Sequence, residues 1–402
     1  MILDSQVYNK KTKHDMKKII IINLFLITLV TRHVESSVYF VDFENGDDSR
    51  NGTTPATSWK HSPGDPSAKG IPYLFSQYSG LRINPGDVIK FKGGVTYRGT
   101  ISSMETTCGT TINPKPVSWI GQSDFGNGKA IADGSEPIIG WTKCLSASAC
   151  GGNPNYSKIW VSKTSNKTSS SSKNCVMFQG DLPLFVSESP NLPDPTVFDD
   201  TANFFTIDQA NVTSNLDRNP NYTSIADYRL EAMGGSKLIG SYVILWEGNN
   251  VVSEHKILGY DQVNKRIDFE WISENRIYRD RDNRYAIYNN LYSGLDKQGE
   301  VYFDEIPNGD GGHNVFIWPI DDVDPNTVII SISIIPSFFY MNVGCPVIVS
   351  GFRIAMFYSA AIQLKYGRED IRNNDVINLL DRFRLVQVLL FRPTLLWLKT
   401  TR

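Results

Sequence analysis

Few side chains in the 402-residue sequence stand at spacings that chemistry uses. Glu300 and Asp304 lie four apart in GEVYFDE, a run that alternates like a strand, so both project to one face with Tyr302 between them. Two carboxyls roughly 5 to 9.5 Å apart across a sugar bond are what glycoside hydrolysis requires. A Gly-Glu-x-x-x-Asp stretch equally fixes a turn. Lys365 and Arg368 sit together in QLKYGRED, a pair of cations that is either functional or simply solvated at a turn. Asp321, Asp322 and Asp324 beside Pro325 offer the oxygen ligands that Ca²⁺ takes, against the competing reading of a Pro/Asn turn carrying surface acids. The loop from Asn45 to Asp48 has the same ambiguity. His61, His255 and His313 are isolated, with no HxH or HExxH, so no histidine metal site is expected. Trp59, Trp119, Trp141, Trp160, Trp246, Trp271 and Trp318 are candidates to stack on sugar rings or to pack in the core. There is no Ser-His-Asp order, P-loop or dinucleotide fingerprint.

The elements that must position these groups are short. From Val38 to Ile139 brief strands alternate with turn residues: SVYFVDF, the loop NGDDSRNGTTPATSW, the turn PGD, then VIKF, GG and VTYRGTI. Only GIPYLFSQYSGL hints at a short helix. The run SKTSNKTSSSSKN (162–174) is wholly polar and reads as a mobile surface loop. Strands return in SYVILW, IDFEWI, RYAIYNN, EVYFDE and VFIWPI. From Thr327 the pattern tightens into TVIISISII, CPVIVSGFRI, AAIQLKY and DIRNNDVINL. Stacked short strands with Asn in the turns suit a β-solenoid, in which Asn side chains bond along the turn; no fixed period is visible, and a β-sandwich fits the spacing as well.

Composition narrows the classes. With 40 Lys plus Arg against 42 Asp plus Glu the chain has no concentrated basic charge, and no nucleic-acid partner is expected. The first 35 residues read as a secretory signal: Lys10, Lys11, Lys13, Lys17 and Lys18 precede the apolar run from Ile19 to Val30, which is too short to span a bilayer. Removing residues 1–35 would leave 34 basic against 39 acidic residues. Export makes disulfides the better expectation for Cys108, Cys144, Cys150, Cys175 and Cys345, which contain no CxxC. Cys144 and Cys150 close a short loop most easily. Sequons stand at Asn51, Asn155, Asn166, Asn211 and Asn221.

The opening segment also carries a family resemblance. Gly46, Asp47, Gly52, Thr53, Pro55, Pro85, Gly86, Asp87, Gly93, Gly94 and Tyr97 stand in an order that resembles the N-terminal region of secreted right-handed parallel β-helix proteins of the pectin-lyase-like superfamily. GFRIAMFYSAAIQLKYGREDIRNNDVINL is similar to that family's coils, QGDLPLFVSESPN looks like the segment after its inserted strand pair, and RYAIYNNLYSGLDKQGEVYFDE resembles a further stretch. The resemblance covers roughly 38–140 and 325–380.

It implies an all-β chain: a signal at 1–35, a cap and first coils at 36–154, a β-rich inserted subdomain at 155–335 and further coils at 336–380. Residues 381–402 form an atypical tail, part of a Leu-rich stretch from Leu379 that departs from the pattern. It also implies a secreted, monomeric, carbohydrate-active protein with a polysaccharide ligand, most readily a polysaccharide lyase acting by β-elimination on an acidic glycan. Lyase chemistry removes the proton α to a uronate carboxylate, so it needs a base and a cation that stabilises the developing charge; Lys365 and Arg368 are the residues to test, with Ca²⁺ as a second stabiliser. Glu300 and Asp304 serve the alternative of a glycoside hydrolase. A non-catalytic extracellular glycan-binding or surface protein is the third reading.

Overall fold

The computed structural model describes residues 36–65, 67, 83–102, 115–169, 171–172, 175–195, 202–207, 212–214, 222–248, 251–270, 284–342, 346–359, 361–365 and 369–377. The proposed signal, the GIPYLFSQYSGL segment, Cys108, Cys345, Trp271, Arg368 and the Leu-rich tail lie outside them. The described chain is all-β, with one short α-helix, Arg229–Ala232, and scattered 3-10 turns. Among the described residues no helix is long and apolar enough to cross a membrane.

Two kinds of sheet are present. Three sheets are wholly parallel. Sheet 1 runs Val38–Val41, Val88–Phe91, Val117–Ile120, Val347–Ser350 and Glu369–Arg372 in neighbouring order. Sheet 2 runs Thr96–Tyr97, Ala130–Asp133, Phe352–Ala355 and Asp375–Ile377. Sheet 3 runs Ile101–Ser102, Phe339–Asn342 and Ile362–Lys365. From Val88 onward the chain visits sheets 1, 2 and 3 in turn and then returns to sheet 1, so each strand pairs with its counterpart from the previous circuit.

Alternation along each strand decides what faces inward. Ala130 and Ala132 are fully buried while Ile131 and Asp133 face outward, and Phe352 and Ile354 are buried while Arg353 is not. The inward residues of all three sheets, from Tyr39 and Val41 to Val349, Ile354 and Ile362, make a single apolar core. Its centre is aromatic: Phe338 packs against Phe339 at 4.4 Å, Phe352 at 5.3 Å and Phe357 at 6.0 Å between ring centroids. The first two meet edge-on, an arrangement that adds about 0.5–1.5 kcal/mol per pair beyond the area it buries.

The corners between sheets 1 and 2 are tied from one circuit to the next. Asn374 accepts from the Phe352 N–H at 3.0 Å and donates through Nδ2 to the Val349 carbonyl at 2.8 Å, bridging the corner of the preceding circuit. At the equivalent earlier corner a Cβ on Gly121 would lie 2.6 Å from the Gly351 carbonyl oxygen, so only glycine allows this approach.

The second kind of sheet is mostly antiparallel and is inserted between Asp133 and Phe339, where one circuit passes from sheet 2 to sheet 3. One eight-stranded sheet includes Met177–Gln179, Leu182–Val186, Glu300–Pro307 and His313–Trp318; the other includes Tyr242–Gly248, Val251–Asp261, Arg266–Glu270 and Arg284–Tyr288. They share a core in which Met177, Leu184, Val301 and Phe303 of the first meet Tyr242, Ile244, Ala286 and Tyr288 of the second. Facing sheets of the sandwich kind are thus present, but within the insertion. The insertion starts and ends on one antiparallel pair, with Ser135 opposite Ser333. The Gly134 carbonyl accepts from both Ile334 and Ile335 at 2.8 and 3.1 Å.

Candidate functional site

Glu300 and Asp304 lie on one strand, but their carboxyls are occupied by different backbone amides, one before the strand and one within it. Glu300 is buried, and its Oε2 accepts from the backbone N–H groups of Asp296 at 2.9 Å and Lys297 at 3.0 Å, closing the turn before the strand. Burial, reinforced by the nearby Asp296 charge, pushes its pKa up to about 8. Asp304 is half-buried and accepts from the Ile306 N–H at 3.0 Å. Tyr302 between them packs against Phe316 with ring centroids 5.8 Å apart. Lys365 ends the strand Ile362–Lys365 of sheet 3, in register with Asn342.

The three acids near Pro325 are engaged locally. Asp322 pairs with Lys158 at 2.6 Å and accepts from Trp318 Nε1 at 2.7 Å, while Asp324 accepts from the backbone N–H and Nδ2 of Asn326, both at 2.9 Å. Asp321 takes a left-handed backbone with φ 59°. Among the described residues no group of three or more His, Cys, Asp or Glu is placed to hold a metal ion.

The polar run 162–174 differs from the expected mobile loop where it is described. Ser172 is fully buried, and its N–H and hydroxyl donate to Glu305 Oε1 at 2.9 and 2.8 Å. Oε2 of the same carboxylate accepts from Tyr242 at 2.7 Å and Lys256 at 3.2 Å, so one acid ties the run to both inserted sheets. These donors outweigh burial and hold Glu305 below the usual carboxylate range. Cys144 and Cys150 form a disulfide, whereas Cys175 is a buried free thiol.

A further group of ionisable side chains lines a cleft in the loop after the first strand. This narrow cleft, with room for no more than about one water molecule, is lined by Phe43, Lys60, His61, Ser62, Asp65, Phe91, Tyr97, Arg98, Gly99, Ile101 and Phe338. Asp48 organises it: Oδ1 accepts the backbone N–H groups of Lys60 and His61, both at 2.9 Å, and Oδ2 lies 2.6 Å from His61 Nδ1. A carboxylate can only accept, so Nδ1 carries the hydrogen and Nε2 is the ring nitrogen that Asp48 leaves unengaged. The imidazole stands edge-on to Phe43 at 5.4 Å, and Lys60 Nζ lies 5.6 Å over the same ring.

Asp65 completes the floor. It is 6% exposed, its Oδ1 accepts from the Ser67 N–H at 2.8 Å, and a Cβ on Gly99 would sit 2.5 Å from its Oδ2. Burial raises its pKa, with the Asp48 charge adding to the shift; the Ser67 bonds and the nearby His61 oppose it. Behind the cleft the buried Tyr97 hydroxyl donates to the Val41 carbonyl at 2.7 Å and accepts from the Lys92 N–H at 2.8 Å. Arg98 closes the rim, its Nη2 3.1 Å from Asp133 and its Nε 3.2 Å from the Ser135 carbonyl.

Arg98, just past the Thr96–Tyr97 strand, flanks a charged outer face of sheet 2 that includes Arg353, 3.6 Å from Asp181 of the insertion, and adjoins Lys129, 2.7 Å from Asp375. Sequence spacing gave no sign of the cleft. Asp48, His61 and Asp65 fit no motif, and the available signal was only the density of Gly, Asp and Pro in NGDDSRNGTTPATSWKHSPGD.

No family model matches the sequence, and no curated protein matches it. Among solved structures, one described as "Glycoside hydrolase" is similar over 82% of this chain and 50% of its own, at 14% identity and a TM-score of 0.49. Another, described as "The complex structure of XylC with xylose", is similar over 82% of this chain and 42% of its own, at 11% identity and a TM-score of 0.36. The chain spans half the length, or less, of the structures it resembles.

Proposed function

We propose that the chain is a secreted carbohydrate-active protein of the pectin-lyase-like kind, built on a short right-handed parallel β-helix and acting as a polysaccharide lyase on an acidic glycan. The observation that supports this reading is the repeated passage through three parallel sheets around one apolar core. Such a stack turns a continuous flank of parallel strands toward solvent, on which an extended sugar chain can lie. The Cys144–Cys150 disulfide is in keeping with an oxidising compartment.

In the lyase reaction a base removes the proton α to the uronate carboxylate and a cation stabilises the charge that develops. Lys365 and Arg368 remain the residues proposed from the sequence for these roles, with Ca²⁺ as an auxiliary stabiliser. Hydrolysis by Glu300 and Asp304 is less well supported, since Glu300 is buried and holds two backbone amides.

The test is incubation with polygalacturonate, alginate and glycosaminoglycans, with and without Ca²⁺. Ultraviolet absorbance from an unsaturated uronate that disappears in Lys365→Ala supports the lyase. New reducing ends without that absorbance point to hydrolysis, and glycan retention with neither product points to a binding protein.

A further inference from the structure

We propose that residues 379–391 lie as a helix across the open end of the parallel stack and close its apolar core. The opening is visible in matched positions of successive circuits. Along the inward row of sheet 1, Ile89, Trp119 and Val349 are in register and fully buried, whereas Ile371, next in the row, is only half-buried against the same core. In sheet 2 Ala132 and Ile354 are fully buried, and Val376, in register with them, is 36% exposed. Among the described residues Glu369–Arg372 and Asp375–Ile377 are also the last strands of their sheets, so each presents a backbone edge with no neighbouring strand. An uncovered edge of this kind is a template for pairing with another chain.

The opposite end shows how the same fold closes itself. The free edge of Val38–Val41 is bonded by the loop that follows it: the Phe40 N–H donates to the Gly52 carbonyl at 2.8 Å, and the Trp59 N–H donates to the Phe40 carbonyl at 2.9 Å. Trp59 is fully buried and stacks on Tyr39 with ring centroids 4.9 Å apart. Because this edge is occupied, a second copy cannot continue the stack head to tail, which leaves the chain's own sequence as the occupant of the open end.

That sequence carries the pattern required. Leu379, Phe383, Val386 and Leu390 recur at steps of four, three and four, which is one apolar stripe of a helix. Asp381, Arg384 and Arg392 fall on the side away from the stripe, and Pro393 ends the pattern. A helix over 379–391 is about 20 Å long against about 13 Å for a four-residue strand, so its stripe spans from one sheet of the stack to the next. The segment leaves the last strand one residue beyond Ile377. Tethered this closely, it competes with a free partner at an effective concentration on the order of millimolar. Capping of both ends is what keeps a stacked fold soluble and unassociated. The inference stands on the stack alone and is independent of what the stack does to a glycan.

The test uses the full chain. Hydrogen exchange of the amides in 369–377 and the mass in solution by light scattering are compared in the wild type, in the double variant Phe383→Ser, Val386→Ser on the stripe, and in the double variant Leu385→Ser, Val388→Ser off it. Exchange should be about tenfold faster or more in the stripe variant and within about threefold of the wild type in the other. Equal acceleration in both, or none in either, overturns the proposal. Protection of 369–377 that appears only as the wild type dimerises places a second copy on the end and also overturns it. If the stripe variant does not fold, Val376→Cys is combined with Leu390→Cys or with Val388→Cys in the otherwise wild-type chain, and cross-links are read by peptide mass. Mild oxidation should join only the Val376→Cys, Leu390→Cys pair; joining of neither, of both equally, or of the other pair alone overturns the proposal.

Discussion

Replacing Glu300 by glutamine should change how stability depends on pH. In the fold this carboxyl holds its proton to about pH 8, because burial and the Asp296 charge disfavour ionisation, whereas a free glutamate loses it near 4.5. The sign follows from linkage. Below about 4.5 both states are protonated and the stabilisation is fully present; as pH rises the unfolded chain releases the proton while the fold retains it, so stability falls until the folded group ionises near 8. The shift converts to an upper bound of roughly 5 kcal/mol at about 1.4 kcal/mol per unit. Relaxation around the buried charge should reduce that to on the order of 2–3 kcal/mol.

Urea denaturation of both proteins at pH 5, 7 and 9 reads the effect. Glutamine can still accept the Asp296 and Lys297 amides and never ionises, so Glu300→Gln should gain on the wild type by that amount between pH 5 and pH 9. Other titrating groups cancel in the difference, apart from Asp296, whose charge acts on Glu300 directly. Parallel curves for the two proteins would refute the reasoning.

Two further outcomes are expected. Asn374→Ala leaves the Phe352 N–H and the Val349 carbonyl without their partner and should cost about 1–3 kcal/mol, seen as a lower urea midpoint with unchanged slope. Gly99→Ala drives a methyl to 2.5 Å from the Asp65 carboxyl, which the Ser67 amide holds in place, and should cost about 1–3 kcal/mol by overpacking while perturbing the His61 ring resonances.

What the sequence revealed was whatever depended on local pattern. The outward and inward alternation of VIKF and GFRIA, the Asn-Asn corner at 373–374 and the short Cys144–Cys150 loop could all be read directly. VTYRGTI reads as one strand, yet the chain turns at Arg98, Gly99 and Thr100, so that Thr96–Tyr97 and Ile101–Ser102 belong to different sheets. A strand of two residues carries too little alternation to declare its own ends. The onset of antiparallel pairing at Ser135 left no mark in the sequence, because SEP looks the same whether its partner lies in a coil or an insertion. The Asp48, His61 and Asp65 cluster was illegible for a different reason: it is assembled by backbone amides of an irregular loop, and no periodicity encodes that.

The meeting of Ser135 and Ser333 gives the insertion the geometry of a hairpin base, so its entry and exit arrive side by side. To the parallel stack, this long excursion is therefore no wider than the tight bend at Arg98–Thr100, and Thr100 reaches across to the Ser337 carbonyl at 2.8 Å although the two are 237 positions apart. Such a part should be modular: cutting it out beyond the Ser135–Ser333 pair and rejoining its stumps by a few residues is expected to leave the rungs in place, at the cost of the Arg353–Asp181 ion pair. Loop closure penalises chain length only logarithmically, about 0.6 kcal/mol per doubling, so the stack is nearly indifferent to how much protein hangs from that corner.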